Sequence, residues 1–218
     1  MNSALDDPEL TRVLDKIYAR SWRSDARVMR RARAASRRST PSAAQFAELC
    51  GDAALPVDRE VGRLLYTLVR TARPSTVVEF GTSFGASTIY LGAAVRDNQA
   101  GRVLGVELNA GKVTAARRNL ADAGLAEFAQ IVEGDAREVL ADVTGPVDFV
   151  LLDGWKELYL PVLRLLEPKM PSGALVVADN LPMLPPEYTD WVRDPSNGYT
   201  SVTKDCGGGI ELSVRSAG

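Results

Sequence analysis

The sequence predicts an α/β fold: a doubly wound, mostly parallel sheet of seven strands, with N-terminal helices and a C-terminal antiparallel hairpin. From Thr76 onward, short apolar runs alternate five times with helical stretches, a pattern typical of parallel strands joined by crossover helices. Two of these runs, 147–152 and 174–178, are apolar over nearly their whole length. Strands of that kind are typical of a sheet that is covered on both faces.

The N-terminal part predicts helices. Residues 8–37 are expected to be helical because Leu10, Val13, Leu14 and Ile17 fall at helical spacing. Pro41 suits the first turn of a short helix that ends near residue 49. A further helix follows Val57 and ends before residue 74. We therefore divide the chain into an Arg-rich helical segment, 1–56, and a second domain, 57–218.

The remaining elements follow the alternation in order. Strands are predicted at 76–80, 102–107, 129–133, 147–152 and 174–178, with helices at 86–95, 110–123, 136–140 and 157–166. Residues 181–195, rich in proline and aromatic side chains, are expected to form a loop or lid. The runs 199–204 and 210–215 flank a glycine-rich turn and predict the closing hairpin.

Composition excludes several classes of protein. The 218 residues, 45% of them hydrophobic, can bury a full core. The absence of histidine removes the usual zinc sites and the serine or cysteine triads, so any metal must be held by oxygen, as Mg²⁺, Mn²⁺ and Ca²⁺ are. Cys50 and Cys206 are far apart and are expected to be free thiols in a reducing compartment. With no long apolar run and an acidic N-terminus, we expect a cytoplasmic protein without membrane contact.

Charge is unevenly distributed along the chain. Residues 1–40 hold ten cations and five acids, a local charge of +5, so the remainder carries −7 within the overall −2. The arginines between Arg20 and Arg38 have two interpretations. They form either a solvated helix face or a surface for an anionic partner such as RNA.

Polar residues follow two predicted strands at the point where each one ends. Asp153 follows one strand and Asp179-Asn180 ends the next, while Lys156 lies three residues after Asp153. Because parallel strands share their carboxyl edge, these groups should converge on the crevice where open α/β sheets bind ligands. Two carboxylates and an amide are suitable ligands for a divalent metal, and the lysine is placed to act as a base beside it.

A glycine turn follows the first strand of the repeat. Gly81 permits a tight turn, and Gly85 permits close approach of a ligand at a helix N-terminus. Ser83 stands where a dinucleotide-binding loop would have glycine, and Glu79 would repel a pyrophosphate. Acids at the ends of the next two strands, Glu107 and Asp135, are placed for ribose hydroxyls and an adenine amine. The pattern favours a nucleoside that carries an amino group and no phosphate.

Together these stretches resemble the catechol and caffeoyl-CoA O-methyltransferases, over roughly residues 45–215. The resemblance lies in Glu79-x-Gly81-x-x-x-Gly85-x-Ser87, Gly105-Val106-Glu107, Glu133-Gly134-Asp135-Ala136, the run Leu152 to Leu160, and Ala178-Asp179-Asn180. It implies a Rossmann-like class I methyltransferase that uses S-adenosylmethionine and Mg²⁺, or Mn²⁺ or Ca²⁺.

The resemblance also implies roles for individual residues. Asp153, Asp179 and Asn180 match the metal ligands, and Lys156 matches the catalytic base; with Asp153 it is the expected catalytic pair. The residues matching cofactor contacts are Val57, Glu79, Gly81, Ser83, Gly85, Ser87, Glu107, Leu108, Asp135, Ala136, Asp153 and Trp155. The expected substrate contacts are Lys156, Trp155, Met183, Trp191 and Tyr199; ordinary packing is the alternative for the last three.

The tail departs from the catechol pattern, since the glutamate that contacts the second hydroxyl in that branch has no counterpart in 199–203. The first hypothesis is therefore methyl transfer to a hydroxylated small molecule with adjacent oxygens, by a monomer or a homodimer. A second keeps the chemistry but takes a hydroxylated base in tRNA, held through Arg20 to Arg38. A third is a non-catalytic protein that binds an adenosyl ligand.

Overall fold

The computed structural model describes residues 3–37 and 41–216, and a single sheet of seven strands lies at its centre. The strands are β1 Thr76–Phe80, β2 Arg102–Glu107, β3 Ala129–Glu133, β4 Phe149–Leu152, β5 Leu175–Asp179, β6 Tyr199–Lys204 and β7 Ile210–Arg215. Their order in the sheet is β3-β2-β1-β4-β5-β7-β6. β1 to β5 run parallel, and β7 and β6 add an antiparallel hairpin beside β5. The predicted fold class is confirmed.

Helices cover both faces of this sheet. They are α1 Pro8–Ser36, α2 Ala43–Leu49, α3 Arg59–Ala72, α4 Ala86–Asn98, α5 Ala110–Asp122, α6 Ala136–Val139, α7 Tyr159–Leu166 and α8 Pro186–Arg193. None of the helices in the described part of the chain has the length and apolar character needed to cross a membrane.

Two helical predictions need correction. Pro41 precedes α2 instead of lying in its first turn, because Ser42 caps the helix: its hydroxyl accepts from the Gln45 amide, and the Gln45 side chain accepts in return. Part of the stretch 181–195 is a helix, not a loop. Pro186 stands in the first turn of α8, where proline is tolerated, and Tyr188 and Val192, one turn apart, are fully buried.

The core lies on the two faces of the sheet. On one face α1, α3, α4 and α5 pack together, with Leu14 and Ile17 of α1 in the same cluster as Val61 of α3. On the other face α6, α7 and α8 pack around Tyr159 and Tyr188. Coverage of both faces accounts for the apolar runs of the central strands. The division of the chain at residue 56 stays a prediction.

Candidate active site

A cleft of about 720 Å³ lies at the carboxyl ends of β1, β2, β4 and β5. The strand order reverses between the parallel strands β1 and β4: β2 and β3 extend the sheet on one side, and β5 extends it on the other. Open α/β sheets bind ligands at such a point. A second hollow, of about 910 Å³, lies along edge strand β3 and reaches Thr76 and Arg102, the first residues of their strands. It is away from the carboxyl ends of β4 and β5, so we place the site in the first cleft.

Most of the predicted site residues line this cleft. They are Val57, Gly81, Ser83, Glu107, Leu108, Asp135, Ala136, Asp153, Trp155, Lys156, Asp179, Asn180 and Met183. Glu79, Gly85, Ser87, Trp191 and Tyr199 do not line it.

The acids at the ends of β4 and β5 meet through Asn180. The Asn180 amide nitrogen lies 3.1 Å from Asp153 Oδ1 and 2.9 Å from Asp179 Oδ2. Asp179 is 4% exposed, and its Oδ1 is buried without a hydrogen-bond partner in the described residues. Burial raises the pKa of both carboxyl groups, against the opposing charge of Lys156. Such a pair requires a donor or a cation beside it.

Lys156 is held at the edge of this cluster. Its Nζ lies 3.6 Å from Asp153 Oδ1 and donates to the Tyr159 hydroxyl at 2.6 Å. The Tyr159 hydroxyl donates in turn to the Asp179 carbonyl oxygen at 3.3 Å. Because burial raises the pKa of Tyr159, its hydroxyl keeps the proton that this bond needs. The lysine is thereby connected to the ends of both strands.

The glycine turn after β1 packs directly on the residue that follows Asp153. Gly81 has φ +99°, and a Cβ there would lie 2.5 Å from the Gly154 Cα. Ser83 also has a positive φ, of 49°. Its amide donates to Glu107 Oε2 at 2.9 Å, and its hydroxyl donates to the Ala54 carbonyl oxygen at 2.7 Å. This turn fixes the wall between the ends of β1, β2 and β4.

Glu79, which we expected to contact the cofactor, lies beneath the turn and is 0% exposed. Its Oε2 accepts from the hydroxyls of Thr82 and Thr88. Burial raises the pKa of this carboxyl, although the neighbouring hydroxyls act against the rise. Glu79 points to the face covered by α1, α3, α4 and α5, because its side chain is in phase with Val77 along β1. Glu79 does not line the cleft in this structure, and its contact with the cofactor stays a prediction.

Gly85 and Ser87 also lie behind the cleft wall. Gly85 is the N-cap of α4, with φ +86°, and a Cβ there would approach Ala116 of α5 at 3.4 Å. Ser87 lies in the first turn of α4 and is 3% exposed. In this structure both residues position the start of α4 instead of facing the cleft.

Asp135 lines the cleft, but its carboxylate is already engaged. It caps α6 by accepting from the Arg137 amide at 2.9 Å, and the Arg137 side chain donates to it at 2.5 Å and 3.0 Å. The hydrogen bond from Arg137 lowers the pKa of Asp135. Contact with an adenine amine stays a prediction for this residue, as contact with the cofactor does for Ala136 beside it.

Trp191 and Tyr199 pack outside the cleft. The Trp191 indole donates to Glu167 Oε1 at 2.9 Å, and the Tyr199 hydroxyl donates to the same oxygen at 3.0 Å. The Arg164 guanidinium lies 4.1 Å from the Trp191 ring centroid. Trp191 belongs to α8 and packs on the sheet face that α6, α7 and α8 cover. These contacts favour ordinary packing, the alternative given for both residues, and contact with the substrate stays a prediction. Met183, 57% exposed, does line the cleft.

Three residues of the cleft region were missed at the level of the sequence. Phe46 of α2 lines the cleft and packs on Trp155, with ring centroids 4.4 Å apart. Lys112 lines the cleft from α5. Tyr159 lies one helical turn after Lys156, and that spacing was a usable signal. Lys112 could have been noticed because it lies in the first turn of a predicted helix, where the helix dipole disfavours a cation.

Several known proteins are similar to this chain in sequence. A family of methyltransferase domains matches residues 78–181. Catechol O-methyltransferase of Sus scrofa is 30% identical over 135 residues, 59% of this chain and 72% of that protein. Catechol O-methyltransferase B of Danio rerio is 31% identical over 68% of this chain and 58% of its own length. Catechol O-methyltransferase of Niastella koreensis is 32% identical over 60% of each. The chain thus spans less than two thirds of two of these relatives.

Solved structures agree on the fold. The O-methyltransferase TomG of Streptomyces achromogenes, in complex with S-adenosylmethionine, has a TM-score of 0.68 at 24% identity, covering 82% of this chain and 92% of TomG. An O-methyltransferase of Bacillus cereus in complex with S-adenosylhomocysteine has a TM-score of 0.68 at 19% identity, covering 84% and 96%.

The seven-stranded sheet with its antiparallel hairpin has the fold of a class I methyltransferase. Within that class, the chain belongs to the catechol O-methyltransferase family of S-adenosylmethionine-dependent O-methyltransferases.

Proposed function

We propose that this protein transfers the methyl group of S-adenosylmethionine to one hydroxyl of a small molecule that carries two adjacent oxygens. A divalent metal held by Asp153, Asp179 and Asn180 assists the transfer, and Lys156 is the base. The observation that carries the proposal is the convergence of these four side chains at the ends of β4 and β5.

The donor set fits a hard divalent cation. Asp179 Oδ1 is buried and has no partner within 3–37 and 41–216, and two carboxylates line one cleft. Among the described residues no three acidic, histidine or cysteine side chains are grouped to hold a metal, so a cation here would also need the Asn180 amide. Rotation of that amide by half a turn exchanges its nitrogen for its oxygen. Carboxylate and amide oxygens are what Mg²⁺, Mn²⁺ and Ca²⁺ prefer.

When bound, the cation supplies positive charge that lowers the pKa of a substrate hydroxyl and orients the two adjacent oxygens. Lys156, fixed between Asp153 and Tyr159, would accept the proton of the reacting hydroxyl at Nζ as the neutral amine and become the ammonium. The transfer then forms an oxygen–carbon bond and breaks the sulfur–carbon bond of the sulfonium, leaving S-adenosylhomocysteine. Positioning of the two reactants can contribute up to ~7–11 kcal/mol.

For the cofactor, we assign the ribose hydroxyls to Glu107, at the end of β2. Val57, Leu108 and Trp155 supply apolar walls of the same cleft. The turn Gly81 to Ser83 supports the methionine half, because its backbone approaches the cleft without intervening side-chain bulk. Phe46, packed on Trp155, adds apolar surface to the same wall of the cleft.

The test is methylation of catechols and other vicinal diols with labelled S-adenosylmethionine, with and without EDTA. Activity should disappear on chelation and return with added Mg²⁺. Asp179→Ala should abolish Mg²⁺-dependent transfer, whereas Asp190→Ala, an exposed acid on α8, should not. Transfer that continues undiminished after chelation, or in Asp179→Ala, would refute the metal mechanism.

Methylation of a hydroxylated base in tRNA stays a second prediction, and one observation favours it. Arg23, Arg27, Arg30 and Arg37 of the α1 region are exposed, and none has a carboxylate within 4.0 Å in the described part of the chain. Deletion of 1–40 cannot test this prediction cleanly, because Leu14 and other α1 residues belong to the core. Replacing Arg23, Arg27 and Arg30 with Gln should weaken tRNA methylation and its salt dependence together if RNA is the substrate, and should leave diol methylation unchanged.

A further inference from the structure

Lys112 is a largely covered lysine whose side chain has no partner among the residues that the structure describes. It lies in the first turn of α5 and is 6% exposed. Within the described residues its ammonium has no carboxylate within 4.0 Å and makes no hydrogen bond; only its backbone amide is bonded, to Asn109 Oδ1 at 3.0 Å. The side chain lines the cleft close to Glu107, Leu108 and Cys50, and so faces the same space as the proposed ligand.

The stem of Lys112 is covered by the protein, whereas its ammonium opens on the cleft, since Nζ is not among the fully enclosed polar atoms that lack a partner. Its position in the first turn of α5 costs free energy, because the positive end of the helix dipole repels a cation. The N-cap Asn109 stabilises the helix end itself and contributes nothing to the ammonium. A group held at such a cost in a binding cleft is a candidate ligand contact.

The neighbours of Lys112 narrow the chemistry of that ligand. Acidic residues, Glu107 and Asp135 among them, outnumber the basic residues that line the cleft, so a phosphate here would be repelled. A neutral group with hydrogen-bond acceptors fits better, because an ammonium offers only donors. Leu108, 38% exposed, presents an apolar surface beside it for a flat ring.

We propose that Lys112 donates a hydrogen bond to an acceptor nitrogen of the adenine ring of S-adenosylmethionine. This rests on the proposed function only in placing the nucleoside beside Glu107, and it adds a binding residue to that site. Glu107 accepts from the ribose, Leu108 contacts the ring face, and Lys112 contacts the ring edge.

The experiment measures binding of S-adenosylhomocysteine by calorimetry, without metal or methyl acceptor. The proteins are the wild type, Lys112→Met and Lys204→Met, the last changing an exposed lysine on β6 outside the cleft. The ligands are S-adenosylhomocysteine and its 1-deaza, 3-deaza and 7-deaza analogues, each of which lacks one ring acceptor.

Lys112→Met should weaken binding of S-adenosylhomocysteine about tenfold, the effect of one hydrogen bond to a charged group. The wild type should bind one of the deaza analogues more weakly than S-adenosylhomocysteine by the same factor. Lys112→Met should not weaken the binding of that analogue further, because both changes remove the same hydrogen bond. Lys204→Met should bind as the wild type does. The melting temperature of ligand-free Lys112→Met should not fall, because the variant removes a cation from the positive end of a helix dipole.

Two results would overturn the proposal. One is an affinity of Lys112→Met for S-adenosylhomocysteine within twofold of the wild-type affinity. The other is a loss of affinity in Lys112→Met that is equal for all four ligands. Failure of the proposed function is a separate result. Tight, Lys112-dependent binding of S-adenosylhomocysteine together with no transfer to any vicinal diol would refute the function and leave the lysine contact standing.

Discussion

The Lys156 ammonium donates to the Tyr159 hydroxyl at 2.6 Å, and that hydroxyl donates onward to the Asp179 carbonyl oxygen. Tyr159 is fully buried and packs edge-on against Phe80 and Tyr188, with ring centroids 6.3 Å and 5.7 Å away. Its ring therefore cannot turn freely, and the hydroxyl is a fixed point for a flexible lysine. In the proposed reaction Tyr159 is a positioning residue for the base.

Tyr159→Phe should lower kcat about tenfold and leave KM for the acceptor and the Kd of S-adenosylhomocysteine within about twofold. The lysine loses the group that orients it, whereas the ring and its packing remain; a general base contributes roughly 10²–10⁴-fold, and this change removes only part of that. Steady-state kinetics at saturating Mg²⁺ would measure the effect.

Tyr188→Phe is the matched control, because the Tyr188 hydroxyl is buried without a partner in the described residues. Removing it should leave kcat unchanged and should not lower the free energy of unfolding, since an unpaired polar group is lost. Equal losses of kcat in the two variants would show that Tyr159 acts only through packing.

The close approach of Gly81 to Gly154 predicts a second effect. Gly81→Ala places a Cβ 2.5 Å from the Gly154 Cα at a φ of +99°, so the turn must push away the residue that follows Asp153. We expect a loss of at least ~1–3 kcal/mol in the free energy of unfolding from backbone strain alone. Metal-dependent activity should fall as well, because Asp153 is displaced.

Gly173→Ala is the control, because it introduces the backbone strain of a positive φ without the contact that displaces Gly154. Gly173 has φ +87°, but a Cβ there meets nothing within 4 Å. Urea denaturation should therefore show a smaller loss for this variant, and its Mg²⁺-dependent kcat should equal that of the wild type. If Gly81→Ala is no less stable and no less active than Gly173→Ala, the contact with Gly154 does not position the site.

Much of this architecture follows from local pattern. The bounds of β1, β2 and β3 match the predicted runs, because apolar stretches that end in Gly or acid leave little freedom. The convergence of Asp153 with Asp179 and Asn180 also follows, since neighbouring parallel strands end at one edge.

Other features depend on packing between distant segments. Prolines in 181–195 indicate a loop until Tyr188 and Val192 are seen to share a buried helical face. That Phe46 rests on Trp155 depends on how α2 docks, which no local pattern encodes. Glu79 is different: the alternation along β1 placed it in phase with Val77, and strand periodicity alone would have excluded it from the cleft.

The pair Arg193–Glu211 predicts a pH dependence of stability. The guanidinium of Arg193 donates to both oxygens of Glu211 at 2.8 Å, and the Glu211 side chain is 1% exposed. Burial raises the pKa of Glu211, but the hydrogen bonds from Arg193 and Thr203 outweigh it, and the net pKa lies below its usual 4.5. Its stabilising contribution is therefore full above pH 4.5 and is lost as the pH falls through the lower folded-state value.

Glu211→Gln should lower the free energy of unfolding by about 1–3 kcal/mol at pH 7, because a charge-assisted pair is replaced by a neutral one. The difference from the wild type should shrink as the pH falls below 4.5, since only the wild type titrates. Urea denaturation at a series of pH values measures this. Glu9→Gln, which removes an exposed pair with Arg12, should change stability by less than ~0.5 kcal/mol at every pH.

A substitution of Phe46 tests the apolar wall that this residue forms with Trp155. Its ring lies on Trp155 at 4.4 Å, so Phe46→Ala removes apolar contact from a wall of the proposed acceptor site and leaves Lys156 and the acids in place. We expect KM for an aromatic diol to rise roughly 3–10-fold, the equivalent of ~1 kcal/mol of lost apolar contact, with kcat changed less than twofold. Leu49→Ala, an exposed residue of the same helix outside the cleft, should leave both constants unchanged. A fall in kcat at constant KM in Phe46→Ala would instead show that α2 contributes to the transfer step itself.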